Sequence, residues 1–265
     1  MSRTERADAR AMTHRHNGAI MPTDARCLVE TDESGPVVRL TGVLDFANAD
    51  VVRDALLTRL CERPGPVVAD LTGLRVTDPA AVGVLAEVHR EVADWPAAGL
   101  LVCDPGNTGR PDPALAGVPV WPTLDGAMAA LAASPMAAVL NTDLAPALGA
   151  ARQARELVAD GCRRWGVPEL SEPGTIAVTE MVNNVVAHAR TPMTVRLAPD
   201  GVQLHLAVRD HSSRQPTFAG LAPLTSTGGR GLLLIDTVAR RWGTSPVPDG
   251  KVVWCVLDPA DQPAP

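Results

Sequence analysis

The stretch that most constrains this chain is Thr175–Ala189, TIAVTEMVNNVVAHA. At helical spacing it sets Glu180, Asn184 and His188 at i, i+4 and i+8, a single polar stripe. Ile176, Val178, Met181, Val182, Val185 and Val186 surround that stripe, too many apolar residues for a helix lying free in water. A carboxylate and an amide one turn apart in such a helix both lose solvation unless something compensates them. A cation bound together with phosphate does so. The asparagine oxygen is a neutral hard ligand suited to Mg2+, which takes its remaining oxygens from waters and substrate phosphates. The neighbouring carboxylate can then polarise a nucleophile. Taken alone, the stretch reads equally well as an ion site or as a helix with one solvated polar stripe.

Two later segments bear on that choice. Val202–Asp210 alternates, with Val202, Leu204, Leu206 and Val208 on one face, which predicts a half-buried strand that delivers Asp210 at its end. Ser226-Thr-Gly-Gly-Arg-Gly231 then leads straight into the apolar helical run Leu232–Val238. Gly228, Gly229 and Gly231 let backbone N–H groups approach an anion closely, and the helix that starts there adds its dipole. Arg230 contributes a fork of donors, so the loop reads as a phosphate cradle. A lone G-G-R-G is more often only a turn; in series with Glu180, Asn184 and Asp210 it is far more specific.

In that order, the E-x-x-x-N helix, the acid closing a strand, G-G-R-G-L-L-L-I and a final G-K-V-V-W strand resemble the GHKL ATPases. The resemblance is strongest to the histidine-kinase-like domain of bacterial anti-sigma factors that act as serine kinases, and it runs from Asp143 to Leu257. It implies an α/β sandwich that binds ATP with Mg2+. Glu180 is then the general base, Asn184 the Mg2+ ligand, and Asp210 the acceptor of a hydrogen bond from the adenine amino group. Gly228, Gly229, Arg230 and Gly231 cover the triphosphate. Two departures are visible. Where the wider family has D-x-G-x-G, this chain reads Asp210-His-Ser-Ser-Arg214, without either glycine. Val252 and Val253 lie on the last strand, where relatives often carry a threonine that supports the adenine-binding acid.

The remaining residues suffice for a second core, since 265 residues are enough for two domains. Hydrophobic residues at 46% and charged residues at 20% are globular values. No apolar run reaches the length of a membrane span and the N-terminal segment lacks a signal core, so the expected location is the cytoplasm, with no membrane partner. Cys27, Cys61, Cys103, Cys162 and Cys255 are scattered without a C-x-x-C pair and read as small buried hydrophobes. A net charge of −6, the absence of a basic cluster and the absence of tyrosine argue against nucleic-acid binding.

In the first half, Val37–Leu44 reads as a strand and Ala49–Leu60 as a helix capped by Asn48. Val67–Leu71 reads as a buried strand that stops at a Thr72-Gly73 turn, and Asp78 as the cap of a helix with Pro79 at its first position. Leu100–Cys103 is a further strand, Asp104–Pro122 a long surface loop and Thr123–Ala133 a helix, so strands alternate with helices in a small α/β layer.

This half resembles the STAS domain of anti-sigma factor antagonists, through Leu40–Asp45 (LTGVLD), Val67–Leu74 (VVADLTGL) and Thr77–Leu85 (TDPAAVGVL). The family motif at the last position is D-S-S-G-L-G, whose second serine is phosphorylated by the partner kinase. Here Asp78 is kept, while Pro79 and Ala80 stand at the two serines and Ala81 at the glycine. Alanine is close in shape to an unphosphorylated serine and never acquires the charge, about −2, that phosphate adds.

The expected fold class is α/β: an N-terminal STAS-like domain followed by a GHKL-type sandwich. The boundaries are a tail at 1–26, the STAS-like domain at 27–134, a linker at 135–142, the ATPase-like domain at 143–258 and a tail at 259–265. An amphipathic helix, Ala150–Trp165, opens the second domain with Arg152, Arg155, Arg163 and Arg164 on its outer side. The two resemblances together imply an anti-sigma-type serine kinase acting on a separate STAS antagonist, or a scaffold that sequesters a sigma factor or an antagonist without kinase activity, either able to form a homodimer.

Overall fold

The computed structural model describes residues 27–31, 35–106, 112–133, 138–213 and 230–262. The first domain is built on strands β1 (Leu28–Thr31), β2 (Val37–Leu44), β3 (Val67–Val76), β4 (Leu100–Cys103) and β5 (Val120–Trp121), adjacent in that order. β1 is antiparallel to β2, and the other neighbours are parallel. Helices α1 (Ala49–Glu62) and α2 (Gly83–Glu91) share one core, and α3 (Leu124–Ala133) packs on the opposite face of the sheet. The alternation of β3 decides which side chain goes where. Val67, Ala69 and Leu71 join the core with Val52, Leu56 and Leu60 of α1, whereas Val68 points the other way, to Cys103 and Ala127.

Three local expectations are corrected here. β3 does not stop at Thr72-Gly73: a register shift between Arg39 and Thr41 lets it continue to Val76. Asn48 precedes α1 but its side chain makes no cap bond. Instead Oδ1 accepts from the Asp45 N–H at 3.1 Å and Nδ2 donates to the Val43 carbonyl at 3.0 Å, which fastens the turn between β2 and α1. The expected loop 104–122 contains the edge strand β5. The Asp78 cap is as expected, with its carboxylate accepting from Ala80 N–H at 3.0 Å at the start of a short 3-10 turn.

The second domain uses β6 (Leu140–Leu144), β7 (Met193–Asp200), β8 (Gln203–Asp210), β9 (Arg241–Val247) and β10 (Gly250–Leu257), in the spatial order β6-β7-β8-β10-β9 and antiparallel throughout. β6 starts inside the segment read from sequence as a linker. On one face lie α4 (Ala150–Trp165), α5 (Ser171–Asn184) and α6 (Arg230–Val238). α4 buries Ala150, Ala154, Val158 and Cys162 and leaves Arg152, Arg155, Arg163 and Arg164 exposed. α5 approaches it closely at Gly174, where a side chain would meet Val158 at 2.8 Å.

The other face of this sheet is covered by the first domain, which corrects the half-buried reading of β8. Leu204, Leu206 and Val208 face the helices, while His205 and Ala207 are buried on the opposite side. Val202, expected on the buried face, is exposed in the preceding turn. Ala207, Val247 and Val252 belong to the same core as α1 and α2. Polar groups fasten the joint. Arg196 on β7 donates to the carbonyls of Leu60 at 2.9 Å and Cys61 at 2.7 Å, satisfying the end of α1 with a cation where the helix dipole favours one. Arg241 pairs with Asp94 at 2.7 Å, His205 Nδ1 lies 3.1 Å from the Asp94 carbonyl, and Trp95 donates to Ser245 at 3.3 Å. No helix among the described residues is long and apolar enough to cross a membrane.

Candidate functional site

α5 is organised by Ala177, Val178, Met181 and Val182, whose spacing turns one side fully into the core. Glu180 and Asn184 fall between that side and solvent. Both are half-buried, and neither side chain has a hydrogen-bond partner among the described residues. After Asn184 the helix widens into a single π turn, Val185–Ala189, closed by the Arg190 N–H donating to the Val185 carbonyl at 2.7 Å. Such turns rotate the residues that follow out of the helical register. His188, the third residue of the expected stripe, lies in that turn and is exposed, whereas Glu180 and Asn184 are half-buried.

Arg190 takes a left-handed conformation, φ +57°, and three residues later the chain enters β7. Met193 at that entry is paired with Asp210, and the His211 N–H donates to Thr191 Oγ1 at 3.1 Å. The exit of α5 and the end of β8 therefore meet at one end of the central strands β7 and β8. α6 packs on α5 through Leu232 and Ile235, which share a core with Val178, Met181 and Val185. Arg230 and Gly231 are the first two residues of α6, and Gly228 and Gly229 lie outside the described residues. No group of three or more His, Cys, Asp or Glu side chains that could hold a metal ion occurs among the described residues. The group on α5 that could take a divalent cation is the Asn184 amide oxygen, one helical turn from the Glu180 carboxylate.

Asp210 is in a different state. It is 1% exposed, and its carboxylate is engaged by Lys251, directly opposite on β10 and itself 6% exposed. Lys251 Nζ lies 2.9 Å from Oδ1 and 2.8 Å from Oδ2 of Asp210, and 3.1 Å from the Ser212 carbonyl. The Ser212 N–H donates to Oδ1 at 2.8 Å, so Ser212, which stands at the first of the two glycine positions, closes a tight turn over the acid. Gly250 is required beside it, because a Cβ at φ +153° would collide with the Asp210 carbonyl oxygen. The residue that meets Asp210 is thus Lys251, not Val252 or Val253, which face the first domain and the helices respectively. Lys251 was not singled out from sequence, although a lysine opening an otherwise apolar strand was a signal that it needed a buried partner. The Asp210 carboxylate is thus engaged by Lys251 on both oxygens and by the Ser212 N–H on Oδ1.

On the STAS side, Pro79 and Ala80 are exposed on the 3-10 turn, without a hydroxyl. The nearest hydroxyl in sequence, on Thr77, donates to the Leu44 carbonyl at 3.2 Å. The five cysteines are buried and free, as expected. Burial pushes the thiols of Cys61 and Cys162 up to about 11 and that of Cys255 up to about 12.

Comparison with known proteins agrees with this arrangement. The model of the histidine kinase-like ATPase domain matches residues 144–257, and that of the Mlab, STAS domain matches residues 27–95. An uncharacterized protein of Streptomyces coelicolor is 38% identical over 91 residues, which are 32% of this chain and 84% of the relative. The RsbU and RsbW domains of a Mycobacterium tuberculosis protein superpose with a TM-score of 0.35 at 17% identity, covering 45% of this chain and 31% of that one. An anti-sigma factor antagonist from Mycobacterium paratuberculosis gives 0.33 at 24% identity, over 42% of this chain and 97% of its own. The histidine kinase domain of a blue-light activated histidine kinase from Erythrobacter litoralis gives 0.29 at 16% identity, over 42% and 62%. A histidine kinase-like ATPase domain implies ATP as its ligand. The chain thus carries a STAS domain at 27–95 followed by a histidine kinase-like ATPase domain at 144–257.

Proposed function

We propose that the protein is an ATP- and Mg2+-dependent serine kinase of the anti-sigma type, cytoplasmic, acting on a separate STAS antagonist in a partner-switching pathway. The observation that carries this reading is the pair Glu180 and Asn184, one turn apart, half-buried and unpartnered among the described residues. Asn184 holds the cation through its amide oxygen, and Glu180 accepts the proton of the partner's serine hydroxyl. The Gly228, Gly229, Arg230 and Gly231 segment neutralises phosphate charge. The bound nucleotide supplies the phosphoryl group, and in such transfers positioning and charge neutralisation account for most of the acceleration.

The chain's own STAS domain has Ala80 where a substrate carries serine, so it takes part without a phosphorylation switch. Because that domain covers the outer face of the second sheet, a homodimer would use another surface. The test is transfer of label from γ-labelled ATP to a STAS protein that has the serine. Glu180→Ala should abolish transfer and leave Mg·ATP binding intact; transfer that survives this change contradicts the assignment.

A second reading is a scaffold that sequesters a sigma factor or an antagonist without kinase activity. The occupied carboxylate of Asp210 favours it. It requires equal partner binding by the wild type and Glu180→Ala, with no labelled product from either.

A further inference from the structure

The base end of the nucleotide site is where this chain departs furthest from its family, and the departure has a definite chemistry. An ammonium has three protons. Those of Lys251 face three acceptors, Asp210 Oδ1 at 2.9 Å, Asp210 Oδ2 at 2.8 Å and the Ser212 carbonyl at 3.1 Å. On the acid, Oδ1 also accepts from the Ser212 N–H at 2.8 Å. Both charges are more than nine-tenths buried, where an opposite charge in direct contact is held far more strongly than in water. The pair lies across adjacent strands in fixed register, so neither side chain can withdraw without leaving the other charge buried and alone.

We propose that Lys251 is the specificity-determining residue of this site: by occupying Asp210 it removes the acceptor that would distinguish adenine, so that the domain takes nucleoside triphosphates through their phosphates and metal with little regard for the base. This rests on the reading of Glu180 and Asn184 as the metal and phosphate end. An exocyclic amino group arriving at Asp210 meets a neutralised carboxylate already bonded on both oxygens. A keto group arriving at Lys251 meets an ammonium with no proton to spare. Neither adenine nor guanine is therefore rewarded, and the discrimination expected of a free buried acid is absent.

The experiment is calorimetric titration of the full chain with Mg·ATP, Mg·GTP and magnesium tripolyphosphate. It uses the wild type, Lys251→Thr, and the double variant Lys251→Thr with Asp210→Asn, each checked for folding by circular dichroism. The wild type should bind ATP and GTP within about threefold of each other. Lys251→Thr, which frees the acid and leaves a hydroxyl beside it, should favour ATP by about tenfold or more, and the double variant should lose that preference. A wild type that binds neither nucleotide while Lys251→Thr binds ATP overturns base-indifferent binding by the wild type. A wild type that prefers ATP over GTP by tenfold or more overturns it, whether or not the variants fold. Absence of binding by every folded protein overturns the nucleotide reading and this inference with it, whereas tripolyphosphate binding alongside wild-type ATP preference overturns only the inference.

Discussion

Replacing Arg196 by methionine removes the guanidinium that joins the two domains and keeps most of the apolar stem. The wild-type group makes two short hydrogen bonds, 2.9 Å to the Leu60 carbonyl and 2.7 Å to the Cys61 carbonyl, at the end of α1. Hydrogen bonds from a charged donor are each worth about 1.5–3 kcal/mol, and stranding two buried carbonyls adds to the loss. Against this, burial of the cation opposes its charged form, and its Nε has no partner, so part of the wild-type cost disappears with it. The net expectation is a loss of about 2–4 kcal/mol, which at about 2–4 °C per kcal/mol lowers Tm by about 4–16 °C. Scanning calorimetry of the full chain provides the check, with Arg196→Lys as a second arm that restores charge without the fork and should recover less than half the loss. A change below about 1 °C in Arg196→Met would refute the idea that this contact holds the domains together.

Further consequences concern pH, the thiols and the turn beside Asp210. Burial lowers the pKa of His205 below its ordinary 6.5, so the native state keeps it neutral while the unfolded chain protonates first as pH falls. Its contribution is complete above about pH 6.5 and is lost below it; Tm measured between about pH 7.5 and 5.5 should fall, and His205→Asn should flatten that slope. With five buried thiols, three of them pushed to about 11 or 12, native protein should react with a thiol reagent far more slowly than denaturant-unfolded protein, which should titrate all five. Gly250→Ala, which drives a methyl into the Asp210 carbonyl, should cost more than about 2 kcal/mol as read from the shift of the urea midpoint; an unchanged midpoint would contradict the close approach of β10 to β8.

Where local pattern determines structure, the sequence is readable. Val37–Leu44 is β2 residue for residue, Ala150–Trp165 is α4, and Asp78-Pro79 caps a turn, because β-branching, amphipathic spacing and capping act over a few neighbours. β6 was not legible: LNTDL is an edge strand that alternates half-buried and exposed positions and has little apolar signal of its own. The burial of both faces of β8 depends on a domain more than a hundred residues away in sequence, so alternation alone suggests a solvated face that does not exist. Along α5, the half-buried placement of Glu180 and Asn184 follows from i, i+4 spacing, while the π turn that carries the exposed His188 is announced by no residue type. The Lys251–Asp210 pair depends on the register between β10 and β8, set by strands 41 residues apart, and spacing along the chain does not contain it.

If Asn184 carries a divalent cation that a nucleotide brings to α5, titration of ATP into the wild-type chain and Asn184→Ala, each with and without Mg2+, measures it directly. Wild-type affinity should rise by about tenfold or more when Mg2+ is added, and the variant, with an unchanged circular dichroism spectrum, should lose that rise. Equal affinity and equal Mg2+ dependence in the two proteins would contradict it.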